Sequence, residues 1–122
     1  GRPISILLSQ NKIFGNSTVT VAHSRTSNLE ELCLDSDLII SAIGKPEFIK
    51  GDMIKKGSTI IDVGITRVDD SSSHKGYRIA GDVDFNSVSS RVGFITPVPG
   101  GVGPMTIAML LKNTLKACSL SD

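Results

Sequence analysis

The sequence predicts an α/β fold built on a parallel sheet. Segments rich in apolar and β-branched residues alternate along the chain with segments that carry helix signals. Such alternation is typical of parallel sheets whose strands are joined by right-handed helical crossovers. Two of the apolar segments, residues 38–43 and 59–63, are nearly continuous, and each is followed by a glycine. Runs of this length indicate strands that are covered on both faces. At 122 residues, the chain has room for one domain.

Five strands account for the apolar and β-branched segments. The first is a β-branched run that follows the turn-prone Gly15-Asn16-Ser17. The second and third are the two nearly continuous runs, and the last two are shorter. In chain order, the predicted strands are residues 18–22, 38–43, 59–63, 77–80 and 93–95. The polar stretch at residues 71–74 predicts a surface loop.

Helices are predicted between these strands, and the last one has the strongest signals. Pro104 suits a first helical position because its fixed φ and missing N–H do no harm there. Ile107, Leu111 and Leu115 fall on one face, and Lys112 marks the solvent side. This helix is therefore expected to be buried along its apolar face. The predicted helices are residues 3–10, 28–34, 45–54, 84–90 and 104–118.

Composition narrows the class of partner. The net charge is +1, from 13 basic and 12 acidic residues that are dispersed along the chain. Nucleic-acid or membrane-surface binding needs a dense basic patch, so neither partner is expected. Cys33 and Cys118 lack the spacing of a zinc site, so no metal is expected, and two isolated thiols favour a reducing intracellular compartment, the cytoplasm or alternatively an organelle. No apolar run approaches the roughly 20 residues of a membrane span. A small-molecule ligand is expected.

The most informative string is TPVPGGVGPMT, at residues 96–106. Its prolines stiffen the entry, and its glycines allow the backbone to take positive φ and to approach a ligand closely. The string also delivers unpaired N–H groups at the start of the last helix, where they attract anions or polarised carbonyls. It lacks the lysine of a P-loop. Gly101 is expected to adopt positive φ against the ligand.

This string resembles the signature that methylenetetrahydrofolate dehydrogenase/cyclohydrolases carry after the last strand of their nucleotide-binding domain. Five further segments resemble blocks of that family and follow in the family's order. They are residues 1–5, 23–26, 41–46, 61–65 and 81–83. The resemblance implies a Rossmann-type doubly wound parallel sheet. It also implies that the sequence begins inside the glycine loop, so that the first strand of the sheet is expected to be lacking.

The family oxidises 5,10-methylenetetrahydrofolate with NADP and hydrolyses the methenyl product to 10-formyltetrahydrofolate. The resemblance implies tetrahydrofolate derivatives as substrates and a homodimer in the intact enzyme. It places the catalytic lysine and tyrosine on an N-terminal domain that this chain does not contain, so no catalytic residue and no turnover are expected in the chain alone. The residues expected to bind the folate are Pro99, Gly100, Gly101, Val102 and Gly103.

The cofactor is expected to contact residues at three places in the chain. An NAD site usually carries an acidic residue at the end of the second strand, whereas a 2′-phosphate is better met by arginine and hydroxyl donors. Here the predicted second strand ends in His23-Ser24-Arg25-Thr26, without a carboxylate, which favours NADP. An alternative is that Ser24 only starts a helix and Arg25 is a solvated charge. The expected cofactor-binding residues are Ser24, Arg25, Gly64, Ile65 and Thr106.

Three further residues have both a functional and a structural interpretation. His23 could act as an acid or base, but packing or contact with an adenine or ribose edge is the favoured interpretation. Asp62 and Asp82 could be general bases, although carboxylates at such positions more often cap turns. An alternative for the whole chain is a non-enzymatic or regulatory NAD(P)-binding module, which would explain the lack of catalytic groups. The folate-facing character of residues 96–106 counts against it.

Overall fold

A computed structural model describes residues 1–120 of the chain. The helices are α1 (Arg2–Ser9), α2 (Leu29–Asp35), α3 (Phe85–Val88) and α4 (Val102–Ser119), and Gly51–Met53 forms a 3₁₀ turn. The strands are β1 (Leu38–Ser41), β2 (Thr59–Asp62), β3 (Thr66–Asp69), β4 (Tyr77–Ala80) and β5 (Phe94–Ile95). Within the described residues, no helix is long and apolar enough to cross a lipid bilayer.

A three-stranded parallel sheet, in the order β1-β2-β5, confirms the predicted α/β class. Its register pairs Leu38 with Thr59 and Ser41 with Asp62, so the carboxyl ends of β1 and β2 meet at one edge. The predicted strands at residues 38–43, 59–63 and 93–95 are therefore confirmed. The core lies beside this sheet and includes the fully buried Ile54, Ile60 and Val88. Packing against this core holds the three strands, and therefore their carboxyl ends, in place.

Strands β3 and β4 form an antiparallel hairpin outside the parallel sheet. The prediction placed residues 77–80 correctly as a strand but missed their partner, β3, whose alternating Thr-Arg-Val-Asp pattern lacks an apolar run. The serine-rich loop is the hairpin connection. Asp70 stabilises it by accepting hydrogen bonds from both the N–H and the hydroxyl of Ser72, and Gly76 there has φ +72°.

Residues 18–22 do not form a strand, so this prediction is wrong. They are largely exposed and pair with no strand among the described residues. A β-branched run becomes a strand only when a neighbouring strand satisfies its backbone groups. Residues 8–17 instead fold back on the end of α1, where the N–H of Ser17 donates to the carbonyl of Leu8 at 2.9 Å.

The predicted helix at residues 45–54 is also wrong, apart from the 3₁₀ turn. This segment runs beside residues 81–84, where the N–H of Glu47 donates to the carbonyl of Gly81 and that of Ile49 donates to Asp82. Ile49 and Val83 form a parallel bridge. Pro46 removes one helical donor, and Glu47 has φ +54°, outside the helical region. Pairing with a distant segment therefore replaces the helix.

Helix α4 begins two residues earlier than predicted, at Val102. Pro104 still lies in the first turn, where a missing N–H is harmless. The expected burial of its apolar face is wrong for the described residues, since Ile107, Leu111 and Leu115 are 64%, 68% and 73% exposed. The periodic pattern identifies which face is apolar, but burial also requires another element against that face.

Candidate functional site

A cleft of about 290 Å³ lies at the carboxyl ends of β2 and β5. One wall is formed by residues 62–65, and the other is formed by residues 97–104 together with Thr106. All predicted site residues except Ser24 and Arg25 line this cleft. They are Gly64, Ile65, Pro99, Gly100, Gly101, Val102, Gly103 and Thr106.

Residues 96–101, which we call the glycine–proline loop, connect β5 to α4 and form most of the second wall. Its backbone turns at Gly100, which has φ +100°, and the Val98–Pro99 peptide bond is cis. The expectation of positive φ at Gly101 is wrong, because that residue has φ −90°. Gly101 has a different constraint, since a Cβ atom there would lie 2.4 Å from the carbonyl oxygen of Pro97. The loop therefore needs glycine at both positions, for different reasons.

The loop ends at the N-terminus of an 18-residue helix whose N-cap, Gly101, provides no side-chain cap. The first N–H groups of a helix have no partner inside it, and they carry the positive end of the helix dipole. The hydroxyl of Thr106 donates to the carbonyl of Val102 at 3.0 Å, and its oxygen can still accept a hydrogen bond. The cleft therefore offers backbone donors and flat apolar walls rather than reactive side chains.

Among residues 1–120, Asp62 is the one titratable residue that lines the cleft, and it is 3% exposed. Its Oδ1 accepts from the N–H of Gly64 at 2.9 Å and from that of Asp82 at 3.1 Å. Its Oδ2 accepts from the N–H of Val83 at 3.0 Å. These contacts make Asp62 an organiser of the backbone, which agrees with the capping interpretation rather than with a general base.

Asp82 has the same kind of environment and is fully buried. Its carboxylate accepts from the N–H of Ile43 at 2.5 Å and from that of Gly44 at 3.0 Å, and the hydroxyl of Ser41 donates at 3.4 Å. These donors belong to the last residue of β1 and to the turn that follows it. The two carboxylates thus join the ends of β1 and β2 to the segment that leaves the hairpin.

Ser24 and Arg25 lie in a separate, exposed turn and are not among the residues that line the cleft. In this turn the N–H of His23 donates to Oγ1 of Thr26 at 3.0 Å, and Nδ1 of His23 accepts from the N–H of Arg25 at 3.2 Å. His23 therefore organises a local turn. Residues 18–22, which were expected to form the strand before this turn, do not form one. The structure does not bring the turn to the cleft.

Sequence reasoning missed several lining residues and a second cavity. Val63, Pro97 and Val98 line the cleft, and their position beside the predicted residues was the available signal. A smaller cavity of about 140 Å³ lies at the base of the hairpin and shares Asp62 and Val98 with the cleft. No local pattern predicts it, because its walls come from distant parts of the chain.

The resolved pKa shifts belong to groups outside the cleft. A hydrogen bond from Lys50 lowers the pKa of Asp84, which caps α3. Burial raises the pKa of the Cys33 thiol. The described residues contain no group of three or more histidine, cysteine or acidic residues that could hold a metal ion. The cleft's chemistry is therefore that of shape and backbone hydrogen bonding.

The fold and the cleft define a class, that of parallel α/β domains that receive a nucleotide at the carboxyl ends of their strands. The family of tetrahydrofolate dehydrogenase/cyclohydrolase NAD(P)-binding domains matches residues 1–122, and the chain belongs to this family. The resemblance found in the sequence is confirmed.

Relatives and solved structures agree with this assignment. The bifunctional protein FolD of Flavobacterium johnsoniae is 65% identical over 117 residues, which cover 96% of this chain and 40% of that protein. The FolD of Protochlamydia amoebophila is 60% identical over 122 residues, 100% of this chain and 42% of that protein. The chain thus spans about two-fifths of the length of these relatives.

Among solved structures, FolD methylenetetrahydrofolate dehydrogenase/cyclohydrolase from Campylobacter jejuni superposes with a TM-score of 0.85 at 46% identity. The matched region covers 100% of this chain and 40% of the Campylobacter jejuni chain. The Trypanosoma brucei enzyme, complexed with NADP cofactor and an inhibitor, has a TM-score of 0.79 at 48% identity. The matched region covers 86% of this chain and 36% of the Trypanosoma brucei chain.

Proposed function

We propose that this chain is the dinucleotide-binding part of an NADP-dependent methylenetetrahydrofolate dehydrogenase/methenyltetrahydrofolate cyclohydrolase. The observation that carries the proposal is the cleft between residues 62–65 and the glycine–proline loop. It lies where parallel α/β sheets receive nucleotides, and it is lined by eight of the ten residues expected to bind cofactor or folate, all but Ser24 and Arg25.

The residues present fit a dinucleotide. Backbone must come close to the ligand, and the cleft provides this at Gly64, Gly100 and Gly101, none of which has a side chain. The uncapped start of α4 supplies N–H donors for a carboxamide or for another polarised oxygen. Gly64, Ile65 and Thr106 would hold the part of the cofactor that lies in the cleft, while Ser24 and Arg25, outside it, would meet the 2′-phosphate. When bound, an oxidised nicotinamide ring supplies the hydride acceptor.

In this mechanism the chain's own residues position and shield the reactants. Hydride transfer requires two carbons at near-contact distance, and rigid backbone is suited to holding them there. Ile65, which is 68% exposed, presents an apolar surface that can exclude water from one face of the cleft. Residues 99–103 would contact the folate. Proton transfer and the cyclohydrolase step would be carried out by groups outside this chain, since the carboxylate of Asp62 already accepts three backbone hydrogen bonds.

The remaining parts of the proposal concern the intact enzyme, which we place in the cytoplasm as a homodimer. Cys33 and Cys118 are both free, as suits a reducing compartment. Exposed apolar side chains along α4, such as Leu111 and Leu115, support burial against further polypeptide. Sedimentation of the intact enzyme tests the dimer, and a monomer at micromolar concentration would overturn it.

Dinucleotide titration tests both the function and the cofactor preference. A hybrid protein in which this chain replaces the matching 117 residues of the Flavobacterium johnsoniae relative should bind NADP more tightly than NAD. Arg25→Ala should weaken NADP binding by roughly tenfold to a hundredfold and leave NAD binding unchanged, because a charge-assisted phosphate contact is lost. Arg67→Ala, in the hairpin, is the charge-matched control.

Four results would count against parts of the proposal. Tighter binding of NAD, or unchanged NADP affinity in Arg25→Ala, would refute the role of Arg25 at a 2′-phosphate. Binding of NADP without any turnover of 5,10-methylenetetrahydrofolate would instead support a regulatory NAD(P)-binding module. A hybrid protein that binds neither dinucleotide would refute the proposed function itself.

A further inference from the structure

Asp62 and Asp82, which we call the carboxylate pair, are buried without a cationic partner. They are 3% and 0% exposed, and no lysine, arginine or histidine among the described residues forms an ion pair with either. A buried charge is tolerated only when it is paired or well hydrogen-bonded. Here backbone N–H groups take that role, so the pair imposes a geometry on the segments that supply those groups.

Two glycines show how closely those segments pack on the pair. A Cβ atom on Gly64 would lie 2.4 Å from Cγ of Asp82, and one on Gly81 would lie 2.0 Å from Oδ2 of Asp62. Each glycine therefore allows backbone to contact a carboxylate directly. The arrangement is reciprocal, because the strand that carries Asp62 leads into Gly64, while Gly81 immediately precedes Asp82.

One of these contacts reaches the cleft wall. Asp62 accepts the N–H of Gly64, and Gly64 is followed by Ile65, the most exposed side chain of that wall. The N–H of Asp62 donates to Oγ1 of Thr96 at 2.8 Å, and Thr96 begins the glycine–proline loop that forms the opposite wall. Asp62 is thus bonded to both walls, through its carboxylate on one side and through its backbone on the other.

We propose that Asp62 is a positioning residue that sets the separation of the two walls of the cleft and so orients the bound dinucleotide. This inference rests on the proposed function of the cleft. It assigns no proton transfer to Asp62 and no contact with the reacting atoms. Its effect is exerted through Gly64 and Ile65 on one wall and through Thr96 on the other.

The chemistry of the site requires a carboxylate rather than its amide. An ionised carboxylate only accepts hydrogen bonds and can take three N–H donors, whereas an amide replaces one oxygen by a donor. In Asp62→Asn the new NH₂ group must face at least one of the backbone N–H groups of Gly64, Asp82 and Val83. Two donors then oppose each other, and the wall at Gly64 should shift although the side-chain volume is unchanged.

The test uses the hybrid protein described above. Asp62→Asn should raise the KM for NADP and its dissociation constant by about tenfold, which corresponds to about 1.4 kcal/mol of binding free energy, because the shifted wall at Gly64 no longer fits the bound dinucleotide. The KM for methenyltetrahydrofolate in the hydrolysis reaction should stay within about twofold. If Asp62→Asn only lowered stability, less of the protein would be folded. The rates of both reactions would then fall by the same factor, and neither KM would change.

The matched control is Asp84→Asn, which removes a carboxylate two residues from Asp82. Asp84 caps α3 and pairs with Lys50 at 3.1 Å, but it does not line the cleft. It should lower the melting temperature and leave both KM values unchanged. Equal KM values for NADP in Asp62→Asn and Asp84→Asn would overturn the proposal.

Thr96→Val keeps the test decisive if Asp62→Asn does not fold. It removes only the acceptor for the N–H of Asp62 and should raise the KM for NADP severalfold, whereas Thr96→Ser should restore it. Unchanged KM in Thr96→Val would overturn the positioning role. An unsubstituted hybrid protein that fails to bind NADP would overturn the proposed function instead, so the two failures are distinguishable.

Discussion

Gly101→Ala tests whether the glycine–proline loop serves a ligand or merely turns the chain. The added Cβ would lie 2.4 Å from the carbonyl oxygen of Pro97 and 3.0 Å from Cβ of Thr96. Real Cβ atoms essentially never lie closer than 3.0 Å to another heavy atom. The loop must therefore open by at least about 0.6 Å, which is the difference between this limit and the 2.4 Å distance to the oxygen of Pro97. The φ of Gly101 is −90°, outside the left-handed region, so the effect expected here comes from the close contact.

Two magnitudes follow from a shift of this size. Overpacking of a tight site costs about 1–3 kcal/mol, which lowers the melting temperature of a domain of this length by several degrees per kcal/mol. A displacement near 1 Å in a site that positions reactants can lower the rate by about a hundredfold. The hydride-transfer rate per folded molecule should therefore fall far more than stability does.

The assay measures the melting temperature and single-turnover NADPH formation in the same preparation of the hybrid protein. Gly51→Ala is the matched control, because its Cβ would lie 2.3 Å from the carbonyl oxygen of Ser87, away from the cleft. It should lose comparable stability and keep its rate per folded molecule. If Gly101→Ala behaves in the same way, the loop is a turn and the functional interpretation of residues 99–103 is refuted.

Three other predictions are open to simpler measurements. Gly103 lies inside α4, and a Cβ atom there would meet nothing within 4 Å outside the nearby helix backbone. Gly103→Ala should therefore raise the free energy of unfolding by about 0.5–1 kcal/mol. Folate affinity should fall at the same time if the ligand approaches this backbone closely, and unchanged affinity would contradict that approach. The 122-residue chain by itself should show neither dehydrogenase nor cyclohydrolase turnover, and hydrolysis above buffer that a substitution in this chain abolishes would refute this. Because Lys50 lowers the pKa of Asp84 below 3.8, that carboxylate stabilises the fold at pH values above 3.8 and loses this effect as the pH falls further, so Asp84→Asn should flatten the acid side of the stability profile.

Much of the candidate site could be predicted because its signals are local. The sequence of residues 96–106 predicts a stiff, glycine-rich entry to a helix, and the structure places that loop against Gly64 and Ile65. Both walls follow strands of one parallel sheet, whose carboxyl ends necessarily lie at one edge. Ser24 and Arg25 were harder to place, because a turn at the end of an unpaired segment has no sheet to position it.

The sequence by itself determined the α/β class, the strands at β1, β2 and β5, the last helix and the glycine–proline loop. These features depend on the order of apolar, β-branched, glycine and proline residues within about ten positions, and that order is visible without a structure. Its limit is seen in α4, where periodicity identified an apolar face but could not supply the element that would bury it.

Only the tertiary structure decided which segments pair. The hairpin, the alignment of residues 47–49 with residues 81–84, and the carboxylate pair all join distant positions. Asp62 and the N–H of Asp82 are 20 residues apart, and Ser41 and Asp82 are 41 apart. A backbone donor carries no side-chain signature, so the sequence cannot show which carboxylate will accept from it. That choice is made when the core brings the strand ends together and leaves buried N–H groups that must be satisfied.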